Sequence, residues 1–272
     1  MRPLAGIVKS FTMCLRGPST LGTISITFGN RSVSLFMKTN AGFVATLALA
    51  SAISGATAAE VTGKVTLKGA APAEKPIALD AQCGKLHSAA ITTRHYVVGS
   101  GNGLANVFVY VKAGLESKKF EPSGEGQLLD QVNCLYEPYV MGVQTNQKFK
   151  IRNSDALLHN VHGTPKNPAN KEFNFGQPIK GQVNERSFPA SEVLVRLKCD
   201  VHPWMFAYVG VVDSPFFAVT DKDGNFKLPG NLPAGKYTIE AFHLKAGAVT
   251  QEITVGDGDK KALEFSLEPK AQ

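Results

Sequence analysis

The seven residues Cys199-Asp200-Val201-His202-Pro203-Trp204-Met205 place a thiol, an imidazole and a thioether at the spacing C-x-x-H-x-x-M. Thiolate and thioether sulfurs are soft donors and imidazole is borderline, a set that suits a metal cycling between Cu(I) and Cu(II). Zinc would take the thiolate and imidazoles but would leave Met205 without a role. A binuclear centre would need a second thiolate in the loop, which Cys199 lacks. Pro203 stiffens the loop and removes one backbone donor near the metal. Trp204 and Phe206 surround it with apolar groups that limit water access, and also offer a docking patch beside an exposed His202 edge. A further imidazole must come from elsewhere, and LLHNVHG (157–163) supplies two, His159 and His162.

Strands are needed to position these groups. EVLVRLKCD (192–200) alternates, with Val193, Val195, Leu197 and Cys199 on one face and Arg196 and Lys198 on the other. QKFKIRN (147–153) sets Phe149 and Ile151 against Lys148, Lys150 and Arg152, and runs directly into the histidine segment. VTGKVTLKG (61–69) and LANVFVYVK (104–112) alternate in the same way. Outside the leader, no window of helical length sustains a 3.6-residue apolar period. The expected fold class is all-β, with sandwich packing. In a sandwich, two strand ends meet at one pole, which would bring His159 to the Cys199 loop.

These residues resemble the cupredoxins, the amicyanin-like and plastocyanin-like blue copper proteins. The resemblance lies in C-x-x-H-P-aromatic-M, in H-N-V-H, and in Asn153 six residues before its first histidine, and it spans 120–213. It implies a Greek-key sandwich holding one type 1 copper through His159, Cys199, His202 and Met205. It also implies that Asn160 bonds across to the ligand loop, and that the protein passes electrons between redox partners without acting as an enzyme. With Met205 completing the set, His162 is expected to be a packed or surface histidine. Cys134 departs from the family, placed on a strand that needs no cysteine there.

After Val212 the pattern changes. Asp221-Lys222-Asp223-Gly224-Asn225-Phe226 reads as a hairpin between strands, followed by Leu232-Pro233-Ala234-Gly235-Lys236-Tyr237. This D-x-x-G-x-F and L-P-x-G-x-Y pair resembles the transthyretin-like, carboxypeptidase-regulatory-like sandwich, whose opening strands match the two upstream segments at 61–69 and 104–112. The expected organisation is a copper domain at 120–213 inserted into a second small sandwich made of 60–115 and 214–272. The alternative is an enlarged copper domain at 60–213 with 214–272 appended. Asp221, Asp223 and Asp257 to Asp259 lack the full calcium-loop pattern and read as turns.

The formal charge of +7 does not indicate nucleic acid. Residues 1–59 hold five basic residues and no acidic one, leaving 24 basic against 22 acidic in the remainder. From Met37, MKTNAGFVATLALASAISGATAAE has the charged start, apolar run and Ala56-Thr57-Ala58 ending of an export signal, with cleavage after Ala58 and Met37 as the true start. The expected location is periplasmic or otherwise exported, with no membrane span in the mature chain. Removing Cys14 leaves three cysteines, and in an oxidising compartment Cys83 and Cys134 then pair while Cys199 stays free. The expected partner is a redox protein docking transiently. Copper delivery or storage is the other reading, and the absence of a Met- or His-rich tract weighs against it.

Overall fold

A computed structural model describes residues 22–28, 31–37, 59–122, 124 and 126–270. The chain divides into two compact units, Met1–Ser54 and Gly55–Gln272. In the first, β1 (Gly22–Phe28) and β2 (Arg31–Met37) form an antiparallel hairpin. The expected export signal lies outside the described residues beyond Met37.

The second unit is nearly all β. Its strands in chain order are β3 (Glu60–Leu67), β4 (Phe108–Ala113), β5 (Leu128–Val132), β6 (Leu135–Glu137), β7 (Val140–Gln144), β8 (Phe149–Asn153), β9 (His159–Thr164) and β10 (Phe173–Gln177). They continue with β11 (Val183–Arg186), β12 (Glu192–Lys198), β13 (Phe206–Val212), β14 (Phe217–Val219), β15 (Asn225–Lys227), β16 (Gly235–His243), β17 (Gly247–Val255) and β18 (Lys260–Leu267). Four sheets result, with strand orders β15-β3-β18, β14-β4-β16-β17, β10-β9-β12-β13-β7 and β11-β8-β5-β6.

These sheets stack as four layers with three apolar cores between them. The first core joins Val61, Val65 and Phe265 to Val107, Val109 and Ile239. The middle core joins Phe108, Tyr110 and Phe217 to Tyr139, Val140 and Val212. The third joins Met141, Val143, Val195 and Leu197 to Leu129, Phe149 and Ile151. Strands β4 and β7 of the two inner layers are therefore buried on both faces. VMGVQ of β7 is buried throughout, and Phe108 to Val111 of β4 are all buried, whereas the outer strand β8 alternates.

Two features depart from the sequence pattern. The turn at Asp223-Gly224 does not close a hairpin, because β14 pairs with β4 while β15 pairs with β3 in the next layer. Its backbone bonds are those of a tight turn, and it carries the chain from one sheet to another. In β12 the register slips between Glu192 and Val195, with Leu194 at φ +60°. This bulge turns Val193 and Leu194 to the middle core and leaves Val195, Leu197 and Cys199 in the third.

The connection from β3 to β4 crosses the edge of the stack. Within it, Asp80 caps a single helical turn, α1 (Ala81–Gly84), by accepting the N–H groups of Gln82 and Cys83. Cys83 is joined by a disulfide to Cys134. Cys134 stands in the Asn133-Cys134 turn between β5 and β6, where both residues have φ +54°, rather than on a strand.

Candidate metal centre

β9 and β12 are antiparallel neighbours, with Lys198 opposite His162 and Leu197 opposite Gly163. That register carries the chain after β12 back across the start of β9, so the Cys199 loop lies over His159. The loop is closed by two backbone bonds, from Met205 N–H to His202 oxygen (2.9 Å) and from Cys199 N–H to Met205 oxygen (3.1 Å).

His159, Cys199 and His202 converge, with their donor atoms all within 4.8 Å of one another. The two histidines face each other through Nδ1 atoms 3.0 Å apart, and Cys199 Sγ lies 3.6 Å from His202 Nδ1. His159, Cys199, His202 and Met205 are all buried, Met205 and His159 completely. Two imidazole nitrogens and a thiol turned inward in an apolar pocket are a donor set that fits one soft cation.

The charges around these atoms set which protons a bound cation would have to displace. Burial disfavours a charged His159, but its bond to Asp155 and the facing Cys199 thiol outweigh burial and hold its pKa up at about 9. Burial would raise the Cys199 thiol, yet the His159 ring and the Asn160 N–H bring it below its ordinary value. For His202, burial and the neighbouring His159 both push the pKa down, leaving a neutral imidazole.

No family model matches the chain, and no curated protein matches it. Solved structures similar to it include a copper-containing nitrite reductase from Thermus scotoductus SA-01, at 15% identity and TM-score 0.30, covering 35% of this chain and 24% of that one. A variant of amicyanin in its oxidised form is 18% identical with a TM-score of 0.29, covering 38% of this chain and 97% of that one. A purple cupredoxin from Nitrosopumilus maritimus is 22% identical with a TM-score of 0.26, covering 32% and 99%. The chain thus spans about a quarter of the nitrite reductase's length.

Asn160 ties the two segments together. Its Oδ1 accepts the N–H groups of Asp200 (2.5 Å) and Val201 (3.3 Å), and its own N–H points to Cys199 Sγ at 3.5 Å. Fully buried Asn153 donates to the backbone oxygens of Leu157 and Gln177 and accepts the Asp155 N–H, so it shapes the turn before His159. Pro203 is exposed at the loop tip.

Two carboxylates at the site were not legible in the sequence. Asp155 Oδ2 lies 2.9 Å from His159 Nε2, and its two oxygens also accept the N–H groups of Asn133 and Cys134. An i,i+4 Asp-His pair is a weak signal in a segment that is not helical. Asp80, from the distant β3–β4 connection, brings Oδ2 within 3.5 Å of His202 Nε2.

Asp80 and Cys83 change the expected surface. His202 was expected to present an imidazole edge to solvent, but it is only 5% exposed because this connection covers it. Trp204 is half-buried, with its indole N–H donating to Cys134 oxygen at 3.1 Å. Phe206 is half-buried beneath the Arg196 guanidinium. The apolar side chains that do reach solvent beside the ligands are Leu158, Val201 and Pro203. His162 stays out of the metal group and bonds Asp200 (2.8 Å) and Glu172 (2.6 Å). Among the described residues, no helix is long and apolar enough to cross a membrane.

Proposed function

We propose that the chain is an exported, mononuclear type 1 copper protein that carries electrons between redox partners and is not an enzyme. The observation that supports this most strongly is the convergence of the buried His159, Cys199 and His202, with donor atoms within 4.8 Å, the latter two on a loop that ends at the fully buried Met205. When bound, copper supplies a one-electron Cu(I)/Cu(II) couple.

In this reading Cys199 would hold the copper through its thiolate, His159 and His202 through their Nδ1 nitrogens, and Met205 through a weakly donating thioether. Asp155 fixes the His159 tautomer by accepting from Nε2, and Asn160 holds the loop in register with β9. Burial of all four ligand side chains keeps water and exchanging ligands out. That closure favours a carrier over the delivery or storage alternative, which requires a labile site. A redox protein would dock transiently on the apolar rim at Leu158, Val201 and Pro203, with Trp204 and Phe206 supporting the surface from beneath.

Residues 120–213 act in this reading as a cupredoxin module inserted into a transthyretin-like host of 60–115 and 214–272. Support comes from β3 pairing with β15 and β18, and from β4 pairing with β14 and β16. Export is supported by the leader pattern and by the Cys83–Cys134 disulfide.

The test is a Cu(II) titration of the full chain followed by visible absorption and EPR, beside Cys199→Ala. An intense blue thiolate-to-copper band with narrow hyperfine splitting, lost in the variant, is expected. A colourless product, or tetragonal copper indifferent to Cys199, would overturn the reading.

A further inference from the structure

The Cys83–Cys134 disulfide adjoins the candidate copper pocket. Its two sulfurs and a His202 ring nitrogen all lie within 4.8 Å of one another, and all three residues are buried. His202 has one nitrogen for each side. Nδ1 is turned to His159 and Cys199, while Nε2 points to the covering connection, with Asp80 Oδ2 at 3.5 Å. The pocket and the disulfide thus share a wall made of one imidazole ring.

A structural crosslink between two segments needs no imidazole beside its sulfurs. Thiolate pairs select soft monovalent ions, and Cu(I) is content with two sulfur donors. We propose that Cys83 and Cys134, once reduced, form with His202 a second site that takes Cu(I), so that the chain holds one more copper in its dithiol state than in its disulfide state. This goes beyond electron carriage, and it does not require His159, Cys199 and Met205 to hold copper.

The chemistry balances with a phosphine as reductant. The phosphine and one water supply two electrons and two protons, the Sγ–Sγ bond breaks, both sulfurs become thiols, and the phosphine leaves as its oxide. Cu(I) then displaces both thiol protons and forms two copper–sulfur bonds with no change in its oxidation state. With Nδ1 turned to the first pocket, His202 joins as a third donor by giving up its Nε2 proton, for which the Asp80 carboxylate at 3.5 Å is the acceptor.

The experiment is an anaerobic Cu(I) titration against a chromogenic Cu(I) chelator, using the full chain as purified and after phosphine treatment and desalting. The reduced chain is expected to retain one more equivalent than the oxidised chain. A Cys83→Ser/Cys134→Ser double variant should show no gain on reduction. In Cys199→Ala, both totals should fall by one while the difference persists, which separates failure of the first site from failure of the second. Equal totals in the oxidised and reduced wild type, or a gain that survives in the double variant, would overturn the proposal. Should the double variant not fold, peptide mapping after iodoacetamide treatment of the reduced wild type decides. Cu(I) should protect Cys83 and Cys134, and equal labelling with and without Cu(I) would overturn the site.

Discussion

Asp155 shows how much of the candidate site hangs on one side chain. It accepts from His159 Nε2 and from two backbone N–H groups, so Asp155→Ala takes the partner from three polar groups at once, two of them, on His159 and Cys134, buried. Loss of such an outer partner is expected to weaken copper binding by about 10- to 100-fold, measured by chelator competition. Stability is expected to fall by about 1–3 kcal/mol, read from urea unfolding of the apo chain. His243 gives a separate handle on pH. It is 2% exposed, stacks beside Tyr96, and accepts the Ala246 N–H at Nδ1 (3.1 Å). Burial holds its pKa down at about 4 against an ordinary 6.5, so between those values the unfolded chain binds a proton that the folded chain refuses. Stability is therefore full above pH 6.5 and is lost as the pH falls towards 4, by about 3 kcal/mol in all. Urea midpoints from pH 7 to pH 4 should show this loss, and His243→Gln should flatten it. The convergence of Cys199 and His202 was legible because both lie at fixed spacing on one short loop. Asp80 and Asp155 were not, because an acidic residue signals nothing until the fold brings it to a ring nitrogen.

At the scale of elements, Gly142 on β7 and Gly210 on β13 are paired in register, facing the middle core. A Cβ on Gly210 would stand 2.5 Å from the Phe108 ring, and one on Gly142 would stand 2.5 Å from Phe217. The glycine pair thus forms a flat seat for two phenylalanines from the adjacent layer. Gly210→Ala is expected to cost about 1–3 kcal/mol by overpacking. Phe108→Leu in the same chain should recover part of that loss, as a double-mutant cycle by urea denaturation would show. The strand segments were legible from alternation at β3, β8 and β12. The double-sided burial of β4 was not: Val107, Val109 and Val111 mark one apolar face, but nothing local says that Phe108 and Tyr110 also meet a sheet. The bulge at Leu194 escaped for the same reason, since only the neighbouring strands define its register.

For the whole molecule, the four-layer stack makes the sandwich that carries the candidate metal centre dependent on its neighbour. Excised 120–213 would bare Tyr139, Val140, Leu194 and Val212, which the adjacent layer covers, and would lose the partner of Cys134. That fragment is expected to aggregate or stay unfolded by circular dichroism and gel filtration, while the full chain folds. The all-β class was readable from periodicity, whereas the face that joins the layers was not, because burying both sides of a strand erases the alternation that identifies it. Strand β18 lies parallel to β3 over its whole length, Lys260 against Glu60 through Leu267 against Leu67. The outermost sheet therefore joins segments 200 positions apart in the chain. Closing so long a loop comes late in folding, after the nearer pairings have formed. The β5–β13 region should gain amide protection first in pulse-labelled refolding, and β3 only when β18 arrives. During synthesis β3, made early, must therefore stay without its parallel neighbour until β18 has been made.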